Sequence, residues 1–198
     1  MEFVYRGLRK SIQDGEPLHR ALARQLDLPQ VDRVVVEREA LDARRKPEVY
    51  YVYNLRFTAP ADNPRVQSLL AQGNIERYVP VCLPEPEPRL TLPGDPMIVG
   101  SGPAGLFLGL YLARMGYRPI IFERGEEIDA RARSVDRLWG AGELNPESNL
   151  QFGEGGAGAF SDGKLTVGKS SPLDRLILED FVRAGAPETI LFSHKPHI

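Results

Sequence analysis

Gly100-Ser101-Gly102-Pro103-Ala104-Gly105 sets three glycines at the spacing G-x-G-x-x-G. The chemistry this spacing serves is phosphate binding by the backbone. Gly100 permits a tight turn out of a strand. Gly102 leaves no side chain between the chain and a pyrophosphate. Gly105 lets a helix pack close to the strand. Pro103 suits the first helical position, where a missing N–H costs nothing. The helix start then offers unpaired N–H groups and a positive dipole end to phosphate, which makes Ser101 and Ala104 candidate contacts with the glycines. Glu123 follows Gly105 by 18 residues and is itself followed by Arg124. A carboxylate there accepts hydrogen bonds from adenosine ribose hydroxyls and repels a 2′-phosphate, which argues against NADP. The fingerprint alone serves FAD and NAD equally.

A second glycine-rich stretch spans Asn149 to Thr166. Five of the eleven residues from Gly153 to Gly163 are glycine, yet Phe152, Phe160, Lys164 and Leu165 interrupt them. A flexible linker is rich in glycine and serine throughout. The interruptions instead predict an ordered loop that wraps a large planar ligand with exposed N–H groups. Gly155, Gly156, Ala157, Gly158, Ser161 and Lys164 are its candidate contacts, and Lys164 would favour reduction of a bound flavin. Arg131 and Arg133 either approach the pyrophosphate or form a solvated helix face. Trp139 is read as packing. No Ser-His-Asp set, metal-ligand group or carboxylate pair is visible, so no catalytic residue is assigned and no metal is expected. His194 and His197 could do acid–base work, but their place at the chain's end favours no role.

These groups need elements to hold them. Met97–Val99 reads as a strand, Ala104–Met115 as a buried apolar helix, and Ile120–Phe122 as a second strand. That is the first β-α-β unit of a Rossmann-like α/β domain, expected over residues 96–198. Glu126–Arg137 and Ser171–Gly185 read as helices, and Thr189–Phe192 as the start of a strand. Upstream, strands at Phe3–Leu8, Asp32–Arg38, Glu48–Phe57 and Ile75–Val81 alternate with helices at Glu16–Leu26 and Asn63–Gln72. Residues 40–47 read as a polar connection. The order β-α-β-β-α-β predicts a small ferredoxin-like α+β domain over residues 1–82. Five prolines from Pro84 to Pro96 mark residues 83–95 as a linker.

The net charge is −2, which gives no bulk attraction to nucleic acid or an anionic membrane. Arg38, Arg44, Arg45 and Lys46 with nearby tyrosines would suit RNA; interspersed acids favour a solvated turn. Cys82 is the single cysteine, which forbids an internal disulfide, fits a cytoplasmic setting and is read as a core residue. No run is apolar enough for a membrane span. Partner and oligomeric state are not legible.

Residues 96–166 resemble the FAD-binding segment of a bacterial FAD-dependent dehydrogenase family, uncharacterised NAD(P)/FAD-dependent oxidoreductases. Ser148-Asn-Leu-Gln-Phe-Gly-Glu-Gly-Gly-Ala-Gly-Ala-Phe-Ser-Asp-Gly-Lys-Leu165 carries the likeness most distinctively. The Leu41-Asp-Ala-Arg-Arg-Lys46 stretch is similar as well. The resemblance implies FAD as cofactor, bound near Gly153–Lys164, with any NAD(P)H donor bound outside this segment. It implies no substrate. Resembling proteins continue well beyond Ile198, so the chain is expected to be an N-terminal portion whose FAD domain is incomplete. The competing expectation is an RNA- or protein-binding module with a regulatory nucleotide domain.

Overall fold

The structure is a computed structural model that describes residues 1–82, 91–165, 171 and 173–198. It divides into two compact units, one of residues 1–83 with 164–198 and one of residues 84–163. The expected domain over 96–198 is therefore divided, with Lys164–Ile198 grouped with the N-terminal sheet. Of the expected linker, residues 83–90 lie outside the described residues.

The first unit is built on strands β1 (Glu2–Ser11), β2 (Asp32–Arg45), β3 (Glu48–Thr58) and β4 (Glu76–Arg77), in the order β2-β3-β1-β4. Each adjacent pair is antiparallel. Helices α1 (Leu18–Leu26) and α2 (Pro64–Ala71) supply the other side of one core. The period-2 pattern of β3 turns Tyr53, Leu55 and Phe57 inward, where they meet Phe3, Leu22, Leu26, Val66 and Leu69. Asn63 caps α2, its Oδ1 accepting from the N–H groups of Arg65 (2.8 Å) and Val66 (3.3 Å). Pro17, expected inside the first turn of α1, is instead its N-cap.

Further expectations for this unit are corrected. The polar connection at 40–47 is mostly strand, because β2 continues to Arg45 and pairs Leu41 with Tyr51 and Asp42 with Tyr50. This ribbon leaves the core behind, so polar side chains suffice for it. Strand β4 covers only Glu76–Arg77, and Val79 beyond it is 76% exposed. Pro80 follows, a residue with no N–H for the ladder. Cys82 lies past that strand end and is exposed, not a core residue.

The C-terminal part of this unit holds α5 (Asp174–Arg183) and a 3-10 turn at Glu188–Leu191. The turn replaces the expected strand. Pro187 fixes the entering backbone, the Ile190 N–H donates to the Pro187 carbonyl at 3.1 Å, and the Ile190 side chain is buried. The Glu39 N–H donates to the Phe192 carbonyl at 2.7 Å, so this segment is joined to β2.

The second unit carries parallel strands β5 (Met97–Val99) and β6 (Ile120–Phe122), with α3 (Pro103–Arg114) crossing between them. Helix α4 (Ile128–Ala141) follows, then a loop with a 3-10 turn at Ala157–Phe160. The expected burial of α3 is not observed. Leu106, Leu108 and Leu110 are 41%, 47% and 38% exposed, and Gly109 is its buried residue. Its sequence is apolar all round, which suits a helix covered on every side. Two strands cover only one side. Trp139 is also exposed, not packed: it lies beyond the buried stripe of α4 at Arg131, Ser134 and Val135.

Candidate dinucleotide site

The site begins with the turn from β5 into α3. Gly100 has φ +97°, a backbone conformation that favours glycine. A Cβ on Gly105 would fall on the Gly100 carbonyl oxygen and lie 3.3 Å from the Ile98 side chain. A Cβ on Gly109 would lie 2.9 Å from Ile121. Glycine at these two positions therefore lets α3 approach both strands. Gly102 differs: a Cβ there meets nothing within 4 Å. The backbone faces open space at the N-terminus of α3. There Ala104 and Gly105 have N–H groups with no acceptor inside the helix, since the first helical bond is Leu106 N–H to Gly102 (3.0 Å). The turn thus fits a pyrophosphate.

Glu123 lies just past the end of β6 and reaches back to this turn. Its Oε2 accepts from the Ser101 N–H (2.7 Å) and the Ser101 hydroxyl (3.0 Å). Its Oε1 accepts from the Gly125 N–H (2.8 Å). The backbone donors of Ser101 and Gly125 stabilise the anion and hold the carboxyl down at about 2, from an ordinary 4.5. Glu123 is therefore charged at neutral pH.

A cavity of about 390 Å³ opens beside it, lined by Glu123, Glu126, Glu127 and Glu154 with Ser101 and Leu106. Sequence reasoning missed the last three acids. Glu126 accepts from the Ser134 hydroxyl at 2.6 Å, which lowers its pKa. Glu154 Oε2 accepts from the Ile128 N–H at 2.7 Å and so caps α4 across 26 residues of sequence. A carboxylate at that end also meets the positive end of the helix dipole. An acid inside a glycine run is the signal that could have drawn attention to Glu154.

The second glycine loop packs on the first. Gly155, at φ +83°, donates its N–H to the Ser101 carbonyl at 3.0 Å. A Cβ on Gly156 would lie 3.0 Å from Pro103 Cδ and 3.3 Å from Gly102 Cα. Ala157 and Gly158 lie in the 3-10 turn, and the Ser161 N–H that closes it donates to Gly158 at 3.1 Å.

Arg131 organises this loop. It is fully buried, and its Nε donates to Asn149 (2.9 Å). Nη1 donates to the carbonyls of Glu154 (2.6 Å) and Gly156 (2.8 Å), and Nη2 to Leu150 (3.2 Å). Its guanidinium also lies 4.9 Å from the centre of the Phe160 ring. Desolvation pulls its pKa down, against the opposing pull of Glu123. The donors that sequence reasoning offered to a pyrophosphate are thus directed at carbonyls of the loop.

The other expected contacts are placed differently. Arg124 is largely exposed, paired with Glu147 (2.9 Å) and stacked 5.1 Å from the Phe152 ring centre. Arg133 is exposed. Lys164 forms an antiparallel bridge with His197 and groups with the first unit.

Two comparisons bear on this geometry. Residues 98–153 match the family model of an NAD(P)-binding Rossmann-like domain. An uncharacterized protein of Clostridium beijerinckii is 52% identical over 103 residues, which is 52% of this chain and 19% of that protein. The chain thus spans about a fifth of that relative's length. Among the described residues, no helix is long and apolar enough to cross a membrane. The match coincides with β5, the glycine turn, α3, β6, Glu123 and the start of the second glycine loop. Residues 98–153 are similar to an NAD(P)-binding Rossmann-like domain.

Proposed function

We propose that the second unit forms the adenosine and pyrophosphate part of an FAD-dependent oxidoreductase, in a protein whose substrate is unassigned. The observation that carries this reading is the Glu123 carboxylate, fixed on Ser101 and Gly125 beside the Gly102 opening. An anionic acceptor at this position supports binding of ribose hydroxyls. The neighbouring carboxylates of Glu126, Glu127 and Glu154 would repel a 2′-phosphate, which disfavours NADP. FAD is favoured over NAD by the second glycine loop, which extends the first turn with a further backbone surface suited to a larger ligand. A bound flavin would supply the hydride or electron chemistry, while the protein binds and orients it.

We read the N-terminal sheet as a ferredoxin-like domain, supported by its strand order β2-β3-β1-β4 with two interleaved helices. A nucleic-acid role for it is disfavoured, because Arg44 is committed to Asp42 at 2.9 Å.

The test is titration of the chain with FAD, NAD⁺ and NADP⁺, together with its visible spectrum. The expected order is FAD tightest and NADP⁺ weakest, with a flavin spectrum that stays with the protein through gel filtration. A protein that remains colourless after FAD is added overturns the reading.

A further inference from the structure

A second cleft lies wholly within the first unit, with a volume of about 590 Å³. That is the range of small-molecule sites. Its apolar wall comes from Ile177, Leu178 and Phe181 of α5 and from Ile190 of the following turn. Arg38 of β2 and His194 contribute polar groups. Arg38 Nη2 lies 2.7 Å from His194 Nδ1. An arginine only donates, so Nδ1 accepts and the ring proton stands on Nε2. In this tautomer His194 can donate from Nε2.

Four charged side chains line the cleft: Glu37, Asp174, Arg38 and Lys164. Glu37 on the wall is paired with Arg56 (2.7 Å) and Arg175 (3.5 Å). Asp174 accepts from the Ser171 N–H at 2.8 Å. Arg38 has no carboxylate partner among the described residues, its one polar side-chain contact being His194. An arginine without a carboxylate partner, an imidazole beside it and an apolar wall match a ligand with a single negative charge and a hydrocarbon body. A planar carboxylate suits the guanidinium fork. A dianionic phosphate would be repelled by the carboxylates of Glu37 and Asp174, which line the same cleft.

We propose that this cleft binds a small amphipathic monocarboxylate, its carboxylate on Arg38 and His194 and its hydrocarbon body against Ile177, Leu178 and Phe181. The site requires no nucleotide in the other unit.

Amide-resolved NMR of the whole chain tests this, with benzoate and octanoate as aromatic and aliphatic probes. Benzamide and inorganic phosphate are the controls. Saturable shifts are expected at Arg38, Ile177, Phe192 and Ser193, and whichever carboxylate binds tighter identifies the hydrocarbon class. Arg38→Met keeps the aliphatic stem, and it should weaken the carboxylate about tenfold while leaving any benzamide binding unchanged. Ile177→Glu, at a 37% exposed position, should abolish carboxylate binding in a protein whose spectrum is otherwise intact. No saturable shift with either carboxylate overturns the proposal. So does equal carboxylate affinity in Arg38→Met, or tighter binding of phosphate than of carboxylate.

Discussion

The Gly155 N–H donates to the Ser101 carbonyl at 3.0 Å, and Ser101 in turn gives its own N–H to Glu123. Two glycine-rich stretches some fifty residues apart in sequence are therefore one continuous backbone surface. Ser101 is its junction, with its carbonyl serving one loop and its N–H and hydroxyl the acid of the other. Three predictions follow from how that surface and its surroundings are held, and a fourth from the first unit.

Glu123→Gln removes the anion but keeps the shape. Dinucleotide affinity should fall about tenfold, the scale of one charge-assisted hydrogen bond. The pH dependence of stability has a defined sign. The folded carboxyl titrates at about 2 and the ordinary value is 4.5. Its stabilising effect is thus fully present above the unfolded value and is lost as pH falls from there through the folded one. Urea denaturation should show the wild-type protein losing stability over that window more steeply than Glu123→Gln. Parallel curves for the two proteins would contradict the assignment.

Gly102→Ala and Gly105→Ala should separate binding from folding. A methyl at Gly102 meets open space, so stability should change by less than about 0.5 kcal/mol while dinucleotide binding weakens. A methyl at Gly105 meets the Gly100 carbonyl, so unfolding should cost about 1–3 kcal/mol less, with binding lost as a consequence. Thermal unfolding with and without FAD reads both.

Arg131→Lys should fail to rescue Arg131→Met. A lysine keeps the charge but cannot serve four carbonyls from one planar fork. Each variant should lose at least about 2 kcal/mol, because buried acceptors are left unsatisfied. Hydrogen exchange should accelerate at residues 149–156 before it does in α3. Unchanged protection of that loop in Arg131→Met would refute the clamp.

Asn63→Ala should lower stability by about 1 kcal/mol, because it deletes the cap of α2. Asn63→Asp should retain most of the wild-type value. Denaturant midpoints of the three proteins decide this, and a neutral alanine would show that α2 does not depend on its cap.

Much of this was legible from local pattern. The G-x-G-x-x-G turn, the apolar triplets at 97–99 and 120–122 and the spacing to Glu123 are short-range features, and the observed elements fall where those features place them. The alternation from Tyr53 to Phe57 likewise marked the core face of β3. What escaped was decided at long range. Nothing near Leu41 reveals that it pairs with Tyr51, so a polar ribbon read as a connection. Nothing near Arg131 reveals that its partners lie at Asn149, Leu150, Glu154 and Gly156, so a buried clamp read as a pyrophosphate contact or a solvated face. The exposed leucines of α3 reflect how many strands flank the helix, a property of the assembled sheet.

The discontinuity of the first unit bears on how it forms. Its hydrophobic core cluster of described residues runs from Phe3 to Ile75, all synthesised before the nucleotide segment. That core can condense while the ribosome is still making Gly100–Glu123. Arg38 and His194, by contrast, are 156 positions apart, so their meeting closes a very long loop. Loop-closure entropy rises only logarithmically, about 0.6 kcal/mol per doubling of length, so the separation is a modest thermodynamic burden. Its main consequence is temporal: the β2 edge stays partly uncovered until residues 190–194 arrive to dock onto it.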